Sequence, residues 1–592
     1  MFIKKYCPGL LSFVLASAGL QAAYAQNNPD QLLWGDVHLH TNLSWDAYYM
    51  GNQTAGPEVA YRFAKGLPVI HPFHRTKVKI TKPLDFLAIT DHSEFLGLPY
   101  SLIIDKDERM TSTRLGKHIA DIYHSGGPGA EALVTMIIAF QTSLLPPPGS
   151  DEENAASRFP PPPPQVSQEV VDWMLANPDL WDEFFNRDVM RNNWELLIDA
   201  AERHYEPGKF TTLIGWEYSP QANGGNLHRV VLTPADGETA KKIRPFSFMD
   251  SDDPEDLWDW LEETSEATGA RFVAIPHNSN LSKGTMFSRT RLNGEPIDKN
   301  YARQRAVWET VAEVTQMKGD SETHPLLSPD DEFADFEFFA HELASFKDDI
   351  KVPPVTQADY LRPALKTGLE LEKELGVNPF KLGMIGSTDG HNALASTEEA
   401  NFYGKFGEGT IPEESGNPVA DFSGYTNWEF SSSGLAAVWA RDNTREEVFA
   451  AFRRKEVYGT TGPRIGLRFF GGYRFSKNDA RAKNLAGRGY AKGVPMGGDL
   501  LPSPRAKAPR FLIQAVKDPA GANLDRVQII KGWLDENGAA HEKVFNVVWA
   551  GDRKPDSNGA LPAVGDTVNR ATADYSNDIG SAELTTVWID PE

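Results

Sequence analysis

Trp34-Gly35-Asp36-Val37-His38-Leu39-His40-Thr41 closes an apolar run near the start of the chain, and Ile89-Thr90-Asp91-His92 closes another further on. Each run ends in histidines and carboxylates, the pattern of a buried strand opening into a functional loop. Three later runs end the same way: Thr211 to Glu217, Arg271 to His277, and Lys381 to the Asp389-Gly390-His391 tripeptide. In barrels of parallel strands the functional groups gather at the carboxyl ends, because those ends open into the loops of one face. Five such ends predict one shared site.

Helical signals lie between the runs. Pro57 to Ala64 reads as a helix, and Trp194, Leu197, Ile198 and Ala201 recur at helical spacing. Asp253-Pro254 has a capping aspartate followed by proline in the first turn, and a helix from Tyr360 to Leu375 is stopped by Gly376. Residues 31–465 therefore predict an α/β fold with parallel strands. Two insertions interrupt it. Residues 98–187 contain Pro146 to Pro148 and Pro160 to Pro164, which predict an extended stretch, and residues 291–354 are polar and irregular, expected to cover the site face. Thr444-Arg445-Glu446-Glu447 reads as a capping box opening a short helix through Arg454. From residue 466 to 592, short runs such as Arg510 to Val516, Val527 to Trp533, Lys543 to Trp549 and Leu584 to Ile589 predict a smaller β-sandwich-like domain.

Composition bounds the function. Lys4 and Lys5, the apolar run around Leu10 to Leu20, and Ala23-Tyr24-Ala25 lay out a cleavable secretory signal over residues 1–25, so a periplasmic or secreted protein is expected. No later run approaches the roughly 20 apolar residues that a membrane helix needs. The lone cysteine, Cys7, lies inside the signal, which excludes disulfides and thiolate sites from the mature chain. The net charge of −23 argues against nucleic acid as a bulk partner, and loss of Lys4 and Lys5 deepens it. A small anionic ester remains compatible, since bound cations reverse the field locally. Oligomeric state is not legible.

His-x-His at a strand end lets two imidazoles reach one ion as the strand unwinds. Imidazole suits Zn, Fe, Mn and Ni, and carboxylates can bridge two ions. The candidate ligands are His38, His40, Asp46, His92, Glu217, His228, His277, Asp389 and His391, nearly all at predicted strand ends.

This series resembles the polymerase and histidinol phosphatase (PHP) superfamily of metal-dependent phosphoesterases. Trp34 to Thr41 and Tyr458-Gly459-Thr460-Thr461-Gly462-Pro463-Arg464-Ile465 are more closely similar to the bacterial domain of unknown function 3604 family. The resemblance implies a PHP-like distorted barrel of seven parallel strands, each paired with a helix, holding two or three divalent ions (Mn, Zn or Fe). His38, His40, Glu217 and Asp389 would hold the first ion. Glu217 would bridge to a second on His228 and His277, and a third would sit on Asp46, His92 and His391. Asp46 departs from the histidine common in the superfamily, which favours a harder ion there or leaves that position partly filled.

Two close ions lower the pKa of a shared water, so a metal-bridging hydroxide is the expected nucleophile. Asp91, beside a ligand histidine, is expected either to orient an imidazole or the water or to ligate an ion directly. Arg229 and Arg464 are candidates for gripping a tetrahedral oxyanion, against a structural salt bridge as the alternative. Asn278 and Asn280 could donate to substrate oxygens or form turns. His71-Pro72-Phe73-His74 has ligand-like spacing and is expected at the rim, while Trp258 and Trp260 are expected in the core. The leading expectation is an exported metal-dependent hydrolase, a phosphoesterase for mono- or diesters. Sulfate ester, lactone or amide hydrolysis is the enzymatic alternative. A non-catalytic protein binding carbohydrate or an envelope component is the other.

Overall fold

The computed structural model describes residues 28–125, 167–342, 352–398, 401–503 and 507–591, except positions 412, 418, 420–423, 432, 558 and 573. It also describes residues 132, 135–137 and 140. The signal segment and both proline clusters, Pro146 to Pro148 and Pro160 to Pro164, lie outside the described residues.

The strands that build the site are β1 (Gln31–Asp36), β2 (Phe86–Ile89), β3 (Thr211–Tyr218), β4 (Arg229–Thr233), β5 (Val273–Pro276), β6 (Val311–Gln316), β7 (Gly319–Asp320), β8 (Gly383–Gly386), β9 (Leu435–Ala440) and β10 (Val457–Thr460). Seven of them form one sheet in the order β10-β9-β1-β2-β3-β4-β5, curled into a half-barrel. A second sheet, β8-β6-β7, stands between its edges, with β6 packed beside β5 and β8 beside β10.

Only the β1/β2, β2/β3 and β6/β8 pairs are parallel; β9/β1, β10/β9, β3/β4, β4/β5 and β6/β7 are antiparallel. This corrects the expected all-parallel barrel. The reason is connection length: the short link from Tyr218 to Arg229 has no room for a crossover helix, so β4 must turn back on β3. His228 therefore arrives at the shared edge from the amino end of a reversed strand.

Both faces of the sheet are buried, and successive residues sort between them. Leu33, Phe86, Ala88, Leu213, Val230 and Val273 join one core cluster, while Trp34, Leu87, Ile89, Ile214, Val231 and Ala274 join another. That is why the strands read as continuous apolar runs rather than alternating ones. Gly35 permits the β1/β2 pairing, since a Cβ there would lie 2.4 Å from the ring of Phe86.

Helices fall where capping signals put them. Pro57–Ala64 is helical; Asp253 accepts from Glu255 N at 2.9 Å to open Pro254–Thr268; Leu361–Leu375 ends at Gly376 with φ 74°. Thr444 accepts from Glu447 N, but the Glu447 carboxylate turns to Arg441, so the expected reciprocal box is half made. Trp258 is fully buried and Trp260 packs half-buried against the same core.

The region expected to be irregular, 291–354, holds the helix Lys299–Trp308 and strands β6 and β7. Its apolar signal is broken by two buried polar residues, Thr315 and Glu313, the latter meeting His38 at the site. Beyond residue 466 the chain is β-rich and antiparallel. β11 (Gly466–Gly472), β12 (Gly493–Pro495), β13 (Arg510–Val516) and β16 (Glu583–Ile589) form a sheet in the order β12-β11-β13-β16. The hairpin of β14 (Arg526–Leu534) and β15 (Ala540–Trp549) lies against the helix Leu361–Leu375, where Lys366 Nζ meets Glu542 Oε2 at 3.0 Å.

Candidate metal centre

Two isolated bridges align the strand ends. Leu39 pairs in parallel with Gly390 just beyond β1 and β8, and His92 pairs in parallel with Glu217. Asp36 ties the first pair of loops together by accepting from His38 N at 3.0 Å and Thr388 N at 3.2 Å. The nine predicted ligands converge at this edge.

Glu217 is central. Its Oε1 lies 2.8 Å from both His228 Nδ1 and His277 Nε2. Its Oε2 lies 3.1 Å from His40 Nε2, 3.3 Å from His92 Nδ1 and 3.4 Å from His38 Nε2. Asp389 Oδ1 lies 3.5 Å from His38 Nε2 and 3.3 Å from His40 Nε2. On the open side, Asp46 Oδ2 faces His391 Nε2 at 2.8 Å and His92 Nε2 at 3.2 Å, and its side chain alone among these ligands keeps 21% exposure. Asp389 adopts φ 55°, a left-handed conformation that aspartate tolerates and that aims its carboxylate inward.

Three sets have donor atoms within 4.8 Å of one another: His40, Asp46, His92 and His391; His38, Glu217 and His277; His38, His40 and Asp389. The donor chemistry fits divalent ions. His40 Nε2 and His228 Nε2 are buried without a hydrogen bond, while their Nδ1 atoms are held by Ser44 Oγ at 2.7 Å and by Glu217. An imidazole fixed at one nitrogen with the other turned toward carboxylates, as His40 Nε2 is toward Glu217 and Asp389, is oriented for an ion between them.

Burial opposes protonation of His38, yet Glu313 and Asp389 outweigh it and hold its pKa well above the ordinary range. His92 is likewise opposed by burial but raised to about 9 by Glu217 and Asp46. Burial drives His228 and His391 down to about 3.

Several contacts escaped the sequence reading. Glu313 Oε2 holds His38 Nδ1 at 2.9 Å. Lys318 Nζ meets Asp389 Oδ2 at 2.6 Å, and Lys405 Nζ meets Asp389 Oδ1 at 2.9 Å. An acidic residue inside an apolar run, Val311-Ala312-Glu313-Val314, was the available signal for Glu313; Lys318 and Lys405 sit in turns and loops with none.

Other candidates are engaged elsewhere, and their expected roles are corrected. Asp91 accepts from Thr41 N at 2.5 Å and Thr41 Oγ1 at 2.7 Å, so it pins the backbone after His40 instead of orienting an imidazole or water. Arg229 is buried, with Nε on Glu309 Oε1 at 3.0 Å and Nη1 on Leu227 O. Arg464 donates to Pro83 O at 3.0 Å and Lys82 O at 2.7 Å. Both arginines are structural because each meets a fixed acceptor before it can reach the cluster. Asn280 donates to Lys318 O at 3.0 Å and accepts from Ser321 Oγ, so its amide shapes a turn. Asn278 stays beside the cluster, accepting from Gln316 Nε2 at 3.0 Å. His71 and His74 pack together with Thr410 apart from these ligands.

Fold and cluster together define a mixed α/β protein whose buried histidines and carboxylates can hold metal ions. The chain belongs to the family described as Protein of unknown function (DUF3604), which matches residues 27–592. No curated protein and no solved structure matches it.

Proposed function

We propose that this protein is an exported metal-dependent hydrolase of phosphate esters, with a centre of the PHP type holding two or three Mn, Zn or Fe ions. The observation that supports it most directly is the position of Glu217, whose two oxygens face separate imidazole sets, His228 and His277 on one side and His38, His40 and His92 on the other. A carboxylate so placed would be shared between two ions.

Divalent ions in such a centre make water a competent nucleophile near neutral pH and neutralise the oxygens of the group under attack. The chain's own residues supply the rest. Four carboxylates within 3.5 Å of the imidazoles, Asp46, Glu217, Glu313 and Asp389, face two ammonium groups, so two divalent ions reverse the sign of the site and make it receptive to an anion. Asp46, the exposed ligand, marks the side from which substrate enters. Glu313 and Ser44 fix the rings of His38 and His40, and Asp91 fixes the backbone between them and Asn42. No helix among the described residues is long and apolar enough to cross a membrane.

The test is metal analysis of the purified protein followed by assay with Mn or Zn against aryl phosphate mono- and diesters, with aryl sulfates and lactones alongside. Phosphate ester turnover that disappears in His38→Ala is expected. Absence of bound metal together with no turnover after reconstitution refutes the reading, and turnover of sulfates or lactones alone refutes its phosphate part.

A further inference from the structure

If the centre hydrolyses an anionic ester, something must hold the anion, and neither arginine nominated by the sequence is free to do so. We infer that Lys318 Nζ and Asn278 Nδ2 form an anion-binding subsite beside Asp389 that takes a tetrahedral oxyanion, phosphate or sulfate, of the substrate. This rests on the hydrolase reading and adds the residues that recognise its substrate.

Lys405 and Lys318 differ in what they have left to give. An ammonium carries three donors. Lys405 meets Asp389 O at 2.7 Å and Asp389 Oδ1 at 2.9 Å and lies 3.1 Å from His391 Nδ1, which is itself 2.9 Å from Asp389 O, so it is packed into this corner on every side. Lys318 contacts Asp389 Oδ2 at 2.6 Å, and its side chain keeps 8% exposure. It has donors to spare.

The orientation of Asn278 follows from a chain of fixed contacts. Lys318 N donates to Gln316 Oε1 at 2.5 Å, which sets the Gln316 amide. Gln316 Nε2 then donates both to Asp389 Oδ2 at 2.7 Å and to Asn278 Oδ1 at 3.0 Å. The oxygen of Asn278 is thereby assigned, and its Nδ2 is buried with no hydrogen-bond partner. Leaving such a donor unsatisfied is unfavourable, so it is retained where a ligand or water completes it. Asn278 directly follows His277 in a left-handed turn, φ 50°, which holds its amide at the cluster.

Lys318 is also held from behind. Asn280 Nδ2 donates to its carbonyl at 3.0 Å, and Gly319 follows at φ 91°, where a Cβ would lie 2.5 Å from Phe339 N. A lysine whose backbone is braced on both sides loses less freedom when it grips a ligand.

Equilibrium binding of inorganic phosphate and sulfate to Mn-loaded protein tests this, with metal content measured in every sample. Lys318→Met and Asn278→Ala are each expected to weaken both anions about tenfold or more, as loss of a hydrogen bond to a charged group implies, with metal content unchanged. Asn278→Ala leaves every ion pair in place and decides the matter if Lys318→Met fails to fold. Binding within twofold of wild type in folded, metal-loaded Asn278→Ala overturns the inference and leaves the hydrolase reading standing. A metal-loaded wild type that takes neither anion overturns the inference alone. A wild type that takes up no metal overturns the hydrolase reading and the inference with it.

Discussion

His38 Nδ1 and Glu313 Oε2 meet at 2.9 Å, although 275 residues separate them in the chain. A carboxylate on the far nitrogen of an imidazole fixes the ring and raises its basicity toward an ion on the near one. Glu313→Gln is therefore expected to lower metal affinity about 10- to 100-fold without unfolding the protein, as read by competition with a chelator. Unchanged affinity would show that the pair is merely structural.

Metal uptake should expel protons. His38 and His92 bind protons in the metal-free protein because their neighbouring carboxylates outweigh burial, His92 with a pKa of about 9. An ion must displace those protons, so affinity falls as pH drops below about 9. Calorimetric titration with Mn in buffers of different ionisation enthalpy is expected to report proton release at pH 7.5, and buffer-independent heats would contradict it.

Arg229 belongs to the core. Glu309 Oε1 takes Arg229 Nε at 3.0 Å and Trp258 Nε1 at 3.1 Å, and Arg305 completes the group at 2.9 Å. Arg229→Met leaves part of a buried negative charge uncompensated and is expected to cost about 3 kcal/mol of stability in urea unfolding. KM for an anionic ester should stay within twofold. A large rise in KM at unchanged stability would restore Arg229 to the substrate.

His71 predicts a pH dependence away from the centre. Its Nδ1 accepts from Phe73 N and His74 N, at 3.3 and 3.2 Å, and burial lowers its pKa to about 4. The unfolded chain takes the proton first, near pH 6.5. Stability from this group is thus present above pH 6.5 and is lost as pH falls toward 4. His71→Asn keeps an acceptor without a titration, so its Tm should fall less than that of wild type between pH 6.5 and 4.5.

The centre was largely legible in the sequence because most of its donors, Asp46 and His228 apart, sit at the end of a local signal. Apolar runs ending in His40, His92, Glu217, His277 and His391 needed only the logic of strand ends, and the helices after Asp253 and before Gly376 needed only capping chemistry. What failed was direction and partnership. Apolar runs buried on both faces look alike whichever way the strand points, so the reversal of β4 was hidden.

The sequence by itself determined which residues carry imidazoles and carboxylates at the ends of buried runs, and where the chain coils between them, since periodicity and caps are properties of neighbours along the chain. Tertiary structure alone decided that Asp91 closes on Thr41, that Arg229 and Arg464 are held by Glu309 and by backbone carbonyls, and that Glu313, Lys318 and Lys405 join the centre. A charged side chain goes to the nearest partner that compensates its desolvation, and that partner is set by which distant strands pack together.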